Sequence, residues 1–167
     1  MLKEYGALLA KDADWAARAE AFRSKVRDVS EFLCQIPLRK PAKRIEGKVT
    51  YHDPCHLRRG QQVWKEPRKL LSMIDGLELV ELPEADWCCG SAGTYNLTQP
   101  EMARRLQERK IANIRAAGAE AVVTANPGCI IQIAQGLRAP SQSGHTRAIE
   151  VLHIVELLDA AYRGERA

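Results

Sequence analysis

The feature that most restricts this sequence is a pair of adjacent cysteines, Cys88 and Cys89, followed by the small residues 90–93. Adjacent cysteines rarely form a disulfide with each other, because the bond requires a particular separation of the two Cβ atoms. The small residues that follow leave backbone N–H groups open to a bound group. This arrangement is typical of an anionic inorganic centre held by thiolates. A complete centre would need further ligands from other parts of the chain.

The composition places such a centre in a reducing compartment. The 167 residues, 46% apolar and 28% charged, are typical of one globular domain. Neither a membrane-spanning apolar run nor an N-terminal signal sequence is recognisable, so a cytoplasmic protein is expected. Five cysteines in that compartment favour metal binding or redox chemistry over disulfides, and the odd number leaves one outside a set of four.

The charge pattern gives little reason to expect a nucleic-acid partner. The net charge is +4, and the basic run at residues 39–44 has no interleaved aromatic residues. The run is therefore interpreted as a solvated linker.

The periodicity of the apolar residues predicts helices followed by alternating strands and helices. Asp14 is the predicted N-cap of the first helical region, and Asp28 or Ser30 the predicted break in it. Pro67 is expected to break one helix, Pro100 to start another at N1 and Gly118 to cap its end. The predicted helices are 14–36, 63–74, 101–117, 129–137 and 153–162, the predicted strands are 48–52, 77–82, 121–124 and 149–152, and 140–146 is a predicted loop.

The expected fold class is therefore α/β, with a mostly parallel sheet, crossover helices and preceding N-terminal helices. Residues 1–46 are predicted to be the helical region and its basic linker. Residues 47–167 are predicted to be the α/β cysteine-rich domain, and the two are expected to form one compact unit.

The alternation also predicts where the cysteines meet. Cys55, the pair Cys88 and Cys89, and Cys129 each follow the end of a different predicted strand. The carboxyl ends of parallel strands share one edge of a sheet, where α/β folds place their sites. Cys34 lies outside this pattern and is interpreted as a small buried apolar residue.

Four gathered thiols leave several chemistries open. They suit an iron–sulfur cluster or zinc, although structural zinc sites usually contain a Cys-x-x-Cys motif, which this sequence lacks. Thiol redox chemistry without a metal, or no shared site, are the remaining alternatives. Backbone N–H groups from Gly90 to Gly93, including Ser91, are expected to bond the sulfurs of a cluster.

The neighbouring side chains receive more ordinary interpretations. His52 is expected to be a strand residue held by a local hydrogen bond, for example to Asp53. His56 is a less favoured candidate for a ligand. Trp87 is expected to shield the site from water.

Three motifs together resemble a known family. His-Asp-Pro-Cys at 52–55, Cys-Cys-Gly-Ser-Ala-Gly-Thr-Tyr at 88–95 and Asn-Pro-Gly-Cys at 126–129 resemble the cysteine-rich CCG domain. This domain occurs in one of the heterodisulfide reductase subunits, in lactate-utilisation proteins and in the iron–sulfur subunit of glycolate oxidase. The resemblance is strongest to the C-terminal domain of the glycolate oxidase subunit and covers nearly the whole chain.

The resemblance implies an electron-transfer subunit of a glycolate oxidase or dehydrogenase complex. In such a complex a flavin-containing subunit oxidises glycolate to glyoxylate, and iron–sulfur centres carry the electrons towards a quinone. The implied cofactor is an iron–sulfur cluster, 4Fe-4S being one candidate type, held by Cys55, Cys88, Cys89 and Cys129, with zinc as the alternative. The flavin-containing subunits are the implied partners, and the complex would provide any association with the inner face of the membrane.

Two departures from the family pattern affect this interpretation. The fullest pattern ends in Cys-x-x-Cys, whereas here Cys129 is followed by Gln132 at the last position. The family subunit also carries ferredoxin-like cysteine motifs that this sequence does not contain, so the isolated chain is expected to be inactive. A docking or zinc-binding module, or a heterodisulfide-reductase-like thiol protein, is therefore kept as an alternative.

Overall fold

A computed structural model of the chain describes residues 2–138 and 148–163. The chain divides into two compact units at residue 37, and each is described by itself. The predicted boundary at residue 46, like the prediction of one compact unit, stays a prediction. The predicted loop at 140–146 lies outside the described residues.

The first unit contains short helices. A 3-10 turn, Leu2–Glu4, is followed by α1 (Tyr5–Leu8), α2 (Ala16–Arg23) and α3 (Val29–Gln35). The predicted break at Asp28 is confirmed, because its carboxylate caps α3 and Glu31 bonds back to the Asp28 backbone. The predicted cap at Asp14 is wrong. Asp12 instead accepts the N–H groups of Asp14 and Trp15, each at 3.0 Å.

The second unit has the predicted α/β architecture. Its four strands form one sheet in the order β2-β1-β3-β4, and every neighbouring pair is parallel. The elements are β1 (Gly47–Tyr51), a π-helical turn (His56–Gly60), α4 (Lys65–Leu71), β2 (Leu77–Val80), α5 (Tyr95–Thr98), α6 (Pro100–Ala116), β3 (Ala121–Thr124), α7 (Pro127–Arg138), β4 (Glu150–His153) and α8 (Ile154–Arg163).

Prolines decide two of the helix boundaries. Pro67 lies in the first turn of α4 and does not break it, because a proline there removes no intrahelical hydrogen bond. Pro127 starts α7 two residues before the predicted start, which makes Cys129 the third residue of that helix. Pro100 starts α6 as predicted.

The core of the second unit contains two of the cysteines. One cluster of buried residues packs α6 and α7 against β3, and its members are Leu82, Cys89, Ile111, Ile114, Val122, Cys129 and Ile133. All of β3 is buried. The thiols of Cys89 and Cys129 are therefore held inside a packed core.

The strand order identifies the edge where a site belongs. From β1 the chain crosses to β2 on one side, and from β2 it crosses back over β1 to β3. The loops that follow β1 and β3 therefore diverge, which is where open α/β sheets bind their ligands. In the described part of the chain, no helix has the length and apolar character needed to cross a membrane.

Candidate metal centre

The first side chain of the site lies at the end of β1. The N–H of His52 donates to the carbonyl of Val123 on β3 at 2.9 Å, so strand pairing continues one residue past β1. The N–H of Asp53 then donates to the carbonyl of Ala85 at 3.0 Å. These bonds fix the backbone at the carboxyl edge of the sheet and attach the loop after β2 to it.

The second side chain comes from the start of α7. The N–H of Cys129 donates to Oδ1 of Asn126 at 3.0 Å, which makes Asn126 the side-chain cap of this helix. Free N–H groups and aligned peptide dipoles place partial positive charge at a helix N-terminus. An anionic group bound beside Cys129 would be stabilised by that charge.

The loop that contains the two adjacent cysteines, residues 88–93, packs closely against α6 and α7; it is called the double-cysteine loop below. Gly90 has φ +94, and a Cβ there would lie 2.3 Å from the carbonyl oxygen of Ala103 on α6 and 3.2 Å from Nε2 of Gln132 on α7. A side chain would therefore push the loop away. A Cβ on Gly128 would lie 3.0 Å from Oγ of Ser91, so the loop also meets the start of α7.

These elements bring three ligand atoms together. The ligand atoms of His52, Cys89 and Cys129 all lie within 4.8 Å of one another, and all three residues are buried. Cys88 extends the group, because its thiol interacts with that of Cys89, which in turn interacts with that of Cys129. The N–H of Gly90 donates to the Cys88 sulfur at 3.3 Å. A row of three thiols thus ends beside an imidazole.

The surroundings favour the uncharged forms of Cys88, Cys89 and His52 in the absence of a metal. The bond to Cys89, followed by burial, raises the pKa of Cys88 well above its ordinary range. The bond to Cys129 is the main cause that raises the pKa of Cys89 to about 12. Burial, helped by the charge of Lys110, lowers the pKa of His52 to about 3; the Ala85 carbonyl opposes this shift only weakly, because it does not reach hydrogen-bond geometry with the ring. Metal binding would have to displace the thiol protons.

Lys110 is a functional candidate that the sequence interpretation missed. It is 1% exposed on α6, and its ammonium group donates to the backbone carbonyl of Glu84. Burial lowers its pKa, and the nearby carboxylates of Glu84 and Asp86 oppose that effect. Its position in the sequence could have indicated burial, because Lys110 lies seven residues after Ala103 and four before Ile114, and both are buried on α6. A buried cation here would stabilise thiolates.

The residue after His52 belongs to a different network. Asp53 is 1% exposed, and its carboxylate accepts Arg58 Nη1 at 2.9 Å and Arg68 Nη1 at 2.8 Å. Arg68 also bonds Glu81 at 2.8 Å. The expected hydrogen bond between His52 and Asp53 is wrong, since the arginines take the carboxylate and neither His52 ring nitrogen has a hydrogen-bond partner among the described residues.

The other predicted residues are not members of this group of three ligand atoms. Cys55 is half-buried just before the π-helical turn, and its role as a ligand stays a prediction. His56 is exposed. The shielding expected from Trp87 stays a prediction; Trp87 is 44% exposed, and the guanidinium carbon of Arg109 lies 4.4 Å from the centre of its ring. Cys34 is half-buried in the first unit, and not fully buried as expected.

The donor set fits a thiolate-bound metal centre. Buried polar atoms in proteins nearly always have a partner, so an unpartnered imidazole beside buried thiols indicates a group that is to be bound there. Thiolate and imidazole ligands suit iron–sulfur clusters and zinc.

Comparison with known proteins identifies related sequences. The family model of a cysteine-rich domain, CCG, matches residues 49–134. The probable glycolate oxidase iron-sulfur subunit of Bacillus subtilis (strain 168) is 41% identical over 159 residues, which cover 94% of this chain and 35% of that protein. Lactate utilization protein A of Lysinibacillus sphaericus (strain C3-41) is 34% identical over 160 residues, covering 95% and 68%.

A third relative is the glycolate oxidase iron-sulfur subunit of Escherichia coli (strain K12). It is 36% identical over 164 residues, which cover 98% of this chain and 38% of that protein. The chain thus spans little more than a third of the length of the two glycolate oxidase relatives and about two thirds of the Lysinibacillus relative's.

Proposed function

This chain belongs to the cysteine-rich CCG domain family, and on that basis we propose that it is an electron-transfer domain of an oxidoreductase complex. The proposed cofactor is an iron–sulfur cluster at the carboxyl edge of the sheet, with Cys55, Cys88, Cys89 and Cys129 as cysteine ligands. The observation that carries the proposal is the row of thiols from Cys88 through Cys89 to Cys129, which ends within 4.8 Å of a buried imidazole.

The residues around this row suit a redox centre. A bound cluster would supply one-electron chemistry. The buried positions of Cys89 and Cys129 exclude water from the sulfurs, and the Gly90 N–H bonds the sulfur of Cys88. The N-terminus of α7 and the ammonium group of Lys110 place positive charge near the thiolates. The hydrogen bond from Gly90 and the two positive charges stabilise added negative charge, as reduction of a centre requires.

The proposed reaction of the complex is oxidation of a 2-hydroxy acid, with glycolate as the first candidate. Relatives named as a glycolate oxidase subunit and as a lactate utilization protein support this substrate class. The proposed partner is a flavin-containing protein that oxidises the substrate, in the cytoplasm or at the inner face of the membrane. The isolated chain should therefore not oxidise glycolate by itself.

A zinc site is the second candidate, and the same geometry favours it. One imidazole and two thiols within 4.8 Å could take three positions around a tetrahedral zinc ion, with Cys88 nearby as a fourth ligand. The chain would then be a docking module without redox chemistry. Metal-free thiol chemistry has less support, because the raised pKa of Cys89, about 12, disfavours the nucleophilic thiolate.

Metal and sulfide analysis tests the proposal. Protein purified without oxygen, or reconstituted with iron and sulfide, is expected to contain both in comparable amounts. Cys89→Ser should lose most of the iron and the visible absorption, whereas Cys34→Ser, the matched control, should keep both. Zinc in place of iron, or full iron content in Cys89→Ser, would contradict the proposal.

A further inference from the structure

His52 has a combination of properties that a structural residue rarely has. It is 1% exposed, and neither of its ring nitrogens has a hydrogen-bond partner in the described ranges, 2–138 and 148–163. Leaving a buried polar group unpaired costs about 1–3 kcal/mol. Such a cost is usually retained only where another component pairs with the group.

The side chain next to His52 in the sequence does not supply this partner. Asp53, the adjacent residue, gives its carboxylate to Arg58 and Arg68. The backbone N–H of His52 already bonds Val123, which orients the residue at the strand end but leaves the ring free. An imidazole nitrogen without a hydrogen-bond partner has a free lone pair when it is unprotonated, which is the form that binds metals.

The position of the ring would allow this lone pair to bind the same metal as two of the thiols. A ligand atom of His52 lies within 4.8 Å of the sulfurs of Cys89 and Cys129. Ligands about 2.0–2.3 Å from one tetrahedral metal lie a little under 4 Å apart, so a small contraction would bring all three to one ion.

We propose that His52 is a direct metal ligand of this centre, acting with Cys89 and Cys129. The inference rests on the proposed function only in requiring that a metal centre is bound here. Imidazole is neutral, whereas a thiolate at the same position would carry a negative charge. His52 should therefore raise the reduction potential of the centre relative to an all-cysteine ligand set, as histidine ligands do in other iron–sulfur centres.

Pulsed EPR on protein labelled with ¹⁵N at histidine tests this directly. The iron-loaded, reduced wild-type protein should show the strong nitrogen hyperfine coupling of a directly bonded imidazole. His52→Phe keeps a ring in the buried position but removes both nitrogens, so the coupling should disappear. The matched control, His56→Phe at an exposed neighbouring position, should retain it. Absence of the coupling in the wild type, or its survival in His52→Phe, would overturn the proposal.

A second variant covers the case in which His52→Phe does not fold. His52→Cys keeps a ligand at the position, and we expect it to lose the nitrogen coupling and to lower the midpoint potential. An unchanged coupling and potential would show that His52 only packs against the centre.

Coordination by His52 can also be tested if the protein binds zinc instead of iron. X-ray absorption at the zinc edge should then detect one imidazole in the wild type and in His56→Phe, and none in His52→Phe. That result would contradict the iron–sulfur function but support His52 as a ligand. Zinc bound without an imidazole, or protein that binds neither metal, would overturn both proposals.

Discussion

His52 and Asp53 are adjacent and equally buried, but only the side chain of Asp53 is hydrogen-bonded. Each is 1% exposed at the carboxyl end of β1. Asp53 binds two arginines from the segments that follow β1, whereas His52 has no side-chain partner in the described part of the protein. The Asp53 side of this loop is thus fully hydrogen-bonded as folded, whereas the His52 side fits the metal ligand proposed above.

The hydrogen bonds of Asp53 also help to hold the site around His52 in place. Asp53 and Glu81 both bind Arg68, which connects the end of β1 to α4 and to the segment after β2. Because that segment leads into the double-cysteine loop, the arginine network helps to position Cys88 and Cys89 relative to His52. A rigid support of this kind is what a preorganised metal site requires.

Breaking the Asp53 network should have the largest effect on stability. Asp53→Asn leaves two arginines without their buried partner, so we expect the metal-free protein to lose about 3–4 kcal/mol in free energy of unfolding, measured in urea. His52→Phe, in the same metal-free protein, should change this free energy by less than about 1.5 kcal/mol, because no hydrogen bond is lost. Equal losses in the two variants would remove the contrast between the two residues.

Displacing the double-cysteine loop should affect the His52 face alone. Gly90→Ala places a methyl group 2.3 Å from the Ala103 carbonyl oxygen at φ +94, so we expect a loss of about 2–3 kcal/mol and reduced metal content. Gly93→Ala is the matched control. Its φ is +64, but no heavy atom lies within 4 Å of the added carbon, so about 1 kcal/mol is expected. Normal metal content in Gly90→Ala would argue against the loop as a ligand source.

The pH dependence of the metal-free protein should separate the two residues further. The unfolded chain protonates His52 near pH 6.5, whereas the folded protein does so only near pH 3. The unfolded state therefore binds more protons between these values, and stability should decrease by up to about 1.4 kcal/mol for each unit that the pH is lowered. Urea titrations of His52→Phe should lack this component. An identical acid dependence in both proteins would place the titrating group elsewhere.

The outer edge of the arginine network should matter least. The Glu81 side chain is 66% exposed, and its hydrogen bond with Arg68 is the main cause that lowers its pKa. Glu81→Gln should therefore cost at most about 1 kcal/mol, measured in the same urea experiment. A loss as large as that of Asp53→Asn would mean that Glu81, and not Asp53, holds Arg68 in place.

The sequence predicted the features that depend on local pattern. Alternating elements predicted the parallel sheet, and strand–turn–cysteine order predicted that Cys89 and Cys129 would share an edge. Side-chain pairing was predicted less well. Whether Asp53 bonds His52 or Arg68, 15 residues away, depends on tertiary geometry that no periodicity reports. Lys110 was missed for the same reason, since its buried environment is formed by a loop 26 residues earlier in the chain.

A redox titration of the reconstituted protein tests the central claim most directly. Visible absorption should bleach when the wild-type protein is reduced without oxygen and return when it is reoxidised, and Cys89→Ser should show neither change. A colourless protein that keeps its fold and its zinc through the titration would contradict an electron-transfer role for this centre.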